Sequence, residues 1–244
     1  MDKKNEDKWY FVVPPNINIM KCELGDTAME YLWGCVEKAK KDKVNANKYL
    51  AGNIEESLYL EDTDNYFWKN HLEEMCTQYS YEYSHCSSFR NTFTNVKTFH
   101  LKLQEFWVNF SKQTEFNPVH NHGGALSFVI WMNIPTKSKE QHNLPISKNT
   151  NNPASSDFQF LYTDILGAIS PMKFEMNPES NGDLVLFPST LSHQVYPFFE
   201  CDDYRVSISG NIYFDTDSLQ TSNNSKIEFS NRRTMGLDNN KNML

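Results

Sequence analysis

The chain has 244 residues, a formal net charge of -8 and a sequence pI near 5.4, with 39% hydrophobic and 14% aromatic residues and only 9 glycines. That length suits one large domain or two small ones with ample core, and the composition excludes a disordered or fibrous chain. The acidic balance argues against charge-driven binding to nucleic acid or an anionic membrane, because both need a basic surface.

The first segment, MDKKNEDKWYFVVPPN, is charged before any hydrophobic residue and carries no apolar h-region, so it does not read as a secretory signal and a cytoplasmic location is expected. Residues 9–20 (WYFVVPPNINIM) predict an edge strand or lead-in, since Pro14 and Pro15 cannot donate to a ladder. From Asp26 or Thr27 the pattern becomes helical: Met29, Leu32, Trp33 and Val36 form the stripe and lysines gather at the C-terminal end, where they complement the macrodipole. A second helix is expected over about 64–83, with Phe67, Leu72, Met75 and Tyr79 as its stripe, and His71 and His85 read as surface or helix-packing residues.

Beyond this point the periodicity is that of strands, at 98–110, 125–134, 158–166, 184–187 and 204–214. Two helices followed by many strands predict an antiparallel sandwich with helices on one face. The polar insertion 136–157 reads as a mobile loop or lid with a solvated His142, and the asparagine-rich tail from about 216 as peripheral. The organisation expected is one domain over 1–215, with a helical part at about 26–85 and a β core at about 98–215, followed by the tail 216–244. The longest apolar runs, such as LSFVIWMNIP, fall short of the roughly 20 residues that span a bilayer. Five scattered cysteines (Cys22, Cys35, Cys76, Cys86, Cys201) without a C-x-x-C pair suit free thiols in a reducing compartment.

Two stretches carry chemistry. In FNPVHNHGGALSFVIW, His120 and His122 stand just ahead of a strand, either as part of a metal site or as two polar residues in a turn. In NGDLVLFPSTLSHQVYPF, a buried strand and a turn lead to His193, and Arg205 follows twelve residues later. On the strand that Arg205 opens, Arg205, Ser207, Ser209, Asn211 and Tyr213 share one face, while Val206, Ile208, Ile212 and Phe214 share the other. A guanidinium and hydroxyls on one face are expensive to bury unless they meet an anion or a hydrogen-bond partner. No G-x-S-x-G elbow, P-loop or G-x-G-x-x-G fingerprint is present.

The order His-x-His, then FPS with H-x-V-x-P, then R-x-S resembles the 2-oxoglutarate and Fe(II)-dependent dioxygenase superfamily, and in particular an oxygenase family found in bacteria and marine phages. The similarity runs from about Trp107 to Tyr213, and the phrase LAGNIEESLYL is similar to the same family. The resemblance implies a mainly β fold with flanking helices: a double-stranded β-helix, or cupin-like jelly roll, that holds iron at its open end. It implies His120, His122 and His193 as metal ligands and catalytic centre, with Fe(II), 2-oxoglutarate and O2 as cofactors. Arg205 would grip the distal carboxylate of 2-oxoglutarate and Ser207 would add a hydrogen bond, while Asn109, and Ser127 or Trp131, are candidates for the pocket wall. The reaction implied is decarboxylation of 2-oxoglutarate to succinate coupled to hydroxylation of a second substrate, a small molecule or a peptide.

One position departs from the superfamily pattern: residue 122 is histidine where the usual triad has a carboxylate, and Gly123, Gly124 and Ala125 supply no replacement acid. Two alternatives therefore stand beside the dioxygenase: a metal-binding jelly roll without turnover, and a three-histidine iron dioxygenase in which the substrate itself chelates, as in thiol dioxygenases. The first has no need of Arg205 and Ser207. Jelly rolls of this kind often pair through helices or edge strands, so a homodimer is an expectation. A phage-encoded version would work in the host-cell cytoplasm.

Overall fold

Between Asp26 and Asp42 the buried residues Ala28, Leu32, Cys35, Val36 and Ala39 recur every three or four positions, laying one apolar stripe along helix α1 (Asp26–Asp42). Met29 and Trp33, expected in that stripe, are partly buried along its margins. The helix stops at Lys43, whose left-handed backbone (φ 53) turns its N–H onto the Ala39 carbonyl. These are features of a computed structural model, which describes residues 16, 18–82, 96–98, 100–215 and 220–221. Most of the strand expected at 9–20, as well as His85, Cys86 and most of the tail, lies outside the described residues.

The second helical segment is less regular than its periodicity predicts. A 3-10 turn (Thr63–Asn65) leads into a π turn (Trp68–Leu72) and then helix α2 (Glu73–Glu82). The Asp62 carboxylate anchors its start by accepting from the Phe67 and Trp68 amides at 2.8 and 2.9 Å. Phe67, Leu72, Cys76 and Tyr79 are buried, and the ring of His71 packs against Tyr66 and Phe67.

The described residues form twelve strands, in chain order β1 (Met20–Glu23), β2 (Glu56–Tyr59), β3 (Val96–Thr98), β4 (Leu101–Ser111), β5 (Asn117–His120), β6 (Leu126–Asn133), β7 (Phe158–Thr163), β8 (Ile169–Phe174), β9 (Asp183–Pro188), β10 (His193–Val195), β11 (Arg205–Phe214) and β12 (Gln220–Thr221). They form a six-stranded antiparallel sheet in the order β1-β9-β6-β11-β4-β2, a four-stranded one in the order β5-β10-β7-β8, and a small β3-β12 pair. The two large sheets make a double-stranded β-helix. Helices α1 and α2 cover the outer face of the larger sheet, burying Leu58, Phe106, Val108, Phe128, Ile130 and Ile208. Its inner face contributes Val129, Trp131, Val185 and Phe187 to a second core shared with Phe158 and Phe160 of the smaller sheet. With both faces covered, the central strands read as continuous apolar runs; in β6 seven successive residues are buried.

The insertion 136–157 is packed more closely than a free lid. It holds a short helix, α3 (Ser138–His142), and buries Ser138, Gln141, Ser147, Ser155, Ser156 and Asp157. The Gln141 amide exchanges two 2.9 Å hydrogen bonds with the Phe199 backbone. His142, expected in solvent, meets the fully buried Asp157 carboxylate at 2.8 Å. Its longest exposed run is Lys148–Asn152. Among the described residues no helix is long and apolar enough to cross a membrane, and Cys22, Cys35, Cys76 and Cys201 are free thiols.

Candidate metal centre and anion cleft

Strand β5 is an edge of the smaller sheet, and its last residue, His120, lies directly opposite His193, the first residue of β10. Neighbouring strands lie about 4.8 Å apart, and the two imidazole centroids are 4.2 Å from each other. His122 lies two residues past β5 in a loop tied to the β9–β10 turn, where its N–H donates to the Ser189 carbonyl at 2.8 Å. Its ring is 5.0 Å from each of the other two, and its Nε2 lies 3.2 Å from that of His193. The three potential donor atoms fall within 4.8 Å of one another, and no carboxylate joins the cluster among the described residues.

Second contacts set the tautomers. A carbonyl oxygen can only accept, so Nδ1 of His120, 2.7 Å from the Pro118 oxygen, and Nδ1 of His193, 2.9 Å from the Leu191 oxygen, carry the hydrogens. Both Nε2 lone pairs are left for the common centre, the arrangement expected of metal-ligating histidines. Burial also keeps the rings neutral. It lowers the pKa of His120, and with the nearby His120 charge it brings His122 down to about 4 and His193 down to about 3. Phe158 stacks on His193 at 5.6 Å with Phe187 edge-on at 5.0 Å, and Trp107 sits 5.8 Å from His122.

The same cleft is walled by β4 and β11, whose register pairs Arg205 with Ser111, Ser207 with Asn109 and Ser209 with Trp107. Arg205 is 4% exposed, its Nη1 donates to the Tyr196 carbonyl at 3.1 Å and more weakly to that of Ser156 at 3.5 Å, and its guanidinium lies over the Phe198 ring. Burial brings its pKa down to about 10, which leaves it charged at neutral pH. Among the described residues no carboxylate forms an ion pair with it. A buried, charged fork without an anion is costly unless a ligand supplies one.

His120, His122, His193, Arg205, Ser207 and Asn109 thus line one cleft, together with Trp131. Ser127 does not line it; its hydroxyl lies 2.7 Å from Asn211 Oδ1 and 2.9 Å from Ser189 Oγ, beneath the loop that carries His122. No residue of the 136–157 insertion lines the cleft. Sequence reasoning missed Trp107, Ser111 and Ser209 as wall residues, although all three share the parity of Asn109 or Ser207 and could have been found from it. It also missed Leu50, Ala51 and Ile54, which reach the cleft from the segment before β2 and carry no sequence signal beyond a short turn.

Three converging neutral imidazoles that could hold a metal ion thus lie beside a buried guanidinium that could take an anion, between the sheets of a double-stranded β-helix. Residues 105–211 match the family described as "Putative 2OG-Fe(II) oxygenase". That stretch contains all six site residues, and the family it resembles is named for Fe(II) and 2-oxoglutarate. No curated protein matches the chain. Among solved structures it is similar to a prolyl-4-hydroxylase from Pseudomonas putida (14% identity, 81% of this chain and 92% of that one, TM-score 0.45). It is also similar to the viral collagen prolyl hydroxylase of Paramecium Bursaria Chlorella virus-1 (11% identity, 80% and 94%, TM-score 0.41). A third is the Trichoplax adhaerens prolyl hydroxylase in complex with a hypoxia inducible factor peptide fragment (12% identity, 80% and 82%, TM-score 0.43).

Proposed function

We propose that the protein is an Fe(II)- and 2-oxoglutarate-dependent dioxygenase in which His120, His122 and His193 hold the iron and Arg205, Ser207 and Asn109 bind the co-substrate. The observation that carries this reading is Arg205: a buried cation that forms no ion pair with a carboxylate among the described residues, on the wall of the cleft that gathers the three imidazoles. The donor set fits the metal, since ferrous iron accepts imidazole nitrogen and two of the rings have their Nε2 lone pairs freed by backbone hydrogen bonds. When bound, the iron and its co-substrate supply oxidative decarboxylation to succinate, coupled to hydroxylation of a small molecule or peptide.

The chain's own groups bind and orient. Arg205 presents its fork to the distal carboxylate, and Ser207 and Asn109, adjacent in register, offer further hydrogen bonds along the same wall. Phe158, Phe187 and Trp107 pack the histidines against dry surfaces and keep water from the donor nitrogens. Because Leu50, Ala51 and Ile54 also line the cleft, the helical part and the β core are best treated as one functional domain over 1–215.

The all-histidine set favours one competing reading, an iron site to which the substrate itself binds without 2-oxoglutarate. Anaerobic titration with Fe(II) and then 2-oxoglutarate separates the two. A visible charge-transfer band that requires His193 and weakens in Arg205→Ala supports the dioxygenase. Iron binding without such a band supports the competitor, and absence of metal binding refutes both.

A further inference from the structure

The family match begins at residue 105, yet a side chain from well before it reaches the anion-binding wall. Ser57 lies on β2, the outermost strand of the larger sheet, directly opposite Asn109, which in turn is opposite Ser207. Ser57 is 2% exposed and its hydroxyl donates to Asn109 Oδ1 at 2.8 Å. With Oδ1 taken up by Ser57, the NH2 group is the part of the amide left to donate along the cleft wall that Asn109 shares with Ser207. Ser57 is itself held in place: its N–H donates to Asn47 Oδ1 and its carbonyl accepts from Ala46 N–H, both at 2.8 Å.

We propose that Ser57 is a positioning residue that locks the Asn109 amide with its hydrogens toward the cleft, so that Asn109 and Arg205 donate to one dicarboxylate. The inference rests on the co-substrate reading above. Without the Ser57 hydroxyl the amide is free to turn over and present an oxygen lone pair to an anion, which opposes binding. The segment 45–59 is then part of the co-substrate site and not only a cover for the sheet edge.

The test is calorimetric binding of 2-oxoglutarate to the Mn(II)-loaded full chain, without turnover. Ser57→Ala is expected to weaken binding about tenfold and Ser57→Thr, which keeps the hydroxyl, to restore it. The double variant Ser57→Ala/Asn109→Ala should bind no more weakly than Asn109→Ala, because Ser57 acts only through Asn109. Asn109→Asp, which leaves Ser57 intact and puts an acceptor where the NH2 stood, should bind more weakly than Asn109→Ala. Mn(II) affinity should be the same throughout. Multiplicative losses in the double variant, an unchanged Ser57→Ala, or an Asn109→Asp no weaker than Asn109→Ala would overturn the positioning role while leaving the co-substrate site intact. A wild-type chain that binds Mn(II) but not 2-oxoglutarate would instead overturn the function proposed above, and this inference with it.

Discussion

Replacing Arg205 with methionine should leave the ligand-free protein nearly as stable as the wild type while abolishing its response to 2-oxoglutarate. Burial moves this guanidinium from its ordinary 12.5 down to about 10, a cost to the ligand-free fold of about 3 kcal/mol. Removing the charge relieves that cost, but it strands the carbonyls of Tyr196 and Ser156, at about 1–3 kcal/mol for each buried acceptor left unpaired. The methionine stem still packs on Phe198, so the two effects leave a net change between about 1 kcal/mol of stabilisation and about 3 kcal/mol of destabilisation. Binding behaves differently. At a ligand concentration about 100 times the dissociation constant, 2-oxoglutarate adds about 2.7 kcal/mol, or roughly 5–10 °C in the melting midpoint of a chain this size. Losing the buried charge partner removes about 3 kcal/mol of binding, roughly 150-fold, so the same concentration would shift the midpoint by only about 1 °C. Thermal melts of the metal-loaded protein with and without 2-oxoglutarate, under anaerobic conditions, measure both quantities. A ligand shift that survives in Arg205→Met would refute the anion-clamp argument, and a collapse of the ligand-free midpoint would show that Arg205 serves the fold instead.

Two further outcomes follow from the histidine cluster and its loop. In the metal-free protein the folded state keeps His122 and His193 neutral down to about 4 and about 3, and His120 below its usual value, whereas an unfolded histidine takes up its proton near 6.5. The unfolded chain therefore binds more protons below 6.5, so stability is full above that pH and is lost as the pH falls toward 4 and 3, by about 1.4 kcal/mol per pH unit for each histidine. Urea unfolding of the metal-free chain across this window should show the slope, and His193→Ala should flatten it; a flat wild-type profile contradicts the assigned burial. Separately, Gly124 has φ +96 and an added Cβ would lie 2.8 Å from the Ile212 carbonyl, so Gly124→Ala must displace the loop bearing His122, at about 1–3 kcal/mol. Chelator competition should then report Fe(II) affinity lowered about tenfold; unchanged affinity would mean that the loop does not fix the third imidazole.

The features legible in the sequence were those written in local pattern. His120, His122, His193 and Arg205 stand at fixed offsets from strand and turn signals, and the two-residue period of β11 places Arg205, Ser207 and Ser209 on one face without any tertiary knowledge. What escaped depends on neighbours distant in the chain. Strand β2 is four residues long with two adjacent buried side chains, and β8 carries Pro171 on an exposed edge, so neither shows clean alternation. The insertion read as solvated because it is polar. Its serines, Gln141 and Asp157 are nevertheless buried, and the partners that Gln141 and Asp157 find, the Phe199 backbone and His142, are brought to them only by the folded chain. Ser57 reaches Asn109 through the register of β2 against β4, a pairing absent from either local sequence.

The unequal mounting of the three imidazoles bears on how a metal enters and leaves. His120 and His193 are cross-strand partners on a hydrogen-bonded ladder, and the backbone oxygens of Pro118 and Leu191 hold their rings, so this pair persists as long as the smaller sheet does. His122 rides on a loop fastened by its own N–H to Ser189 and followed by Gly123 and Gly124. Were these imidazoles to hold an ion, His120 and His193 would offer it a pair fixed by the sheet, and His122 a third donor whose place depends on the loop. The lifetime of such an ion would then be set in residues 121–125 and could be lengthened or shortened there without altering an imidazole.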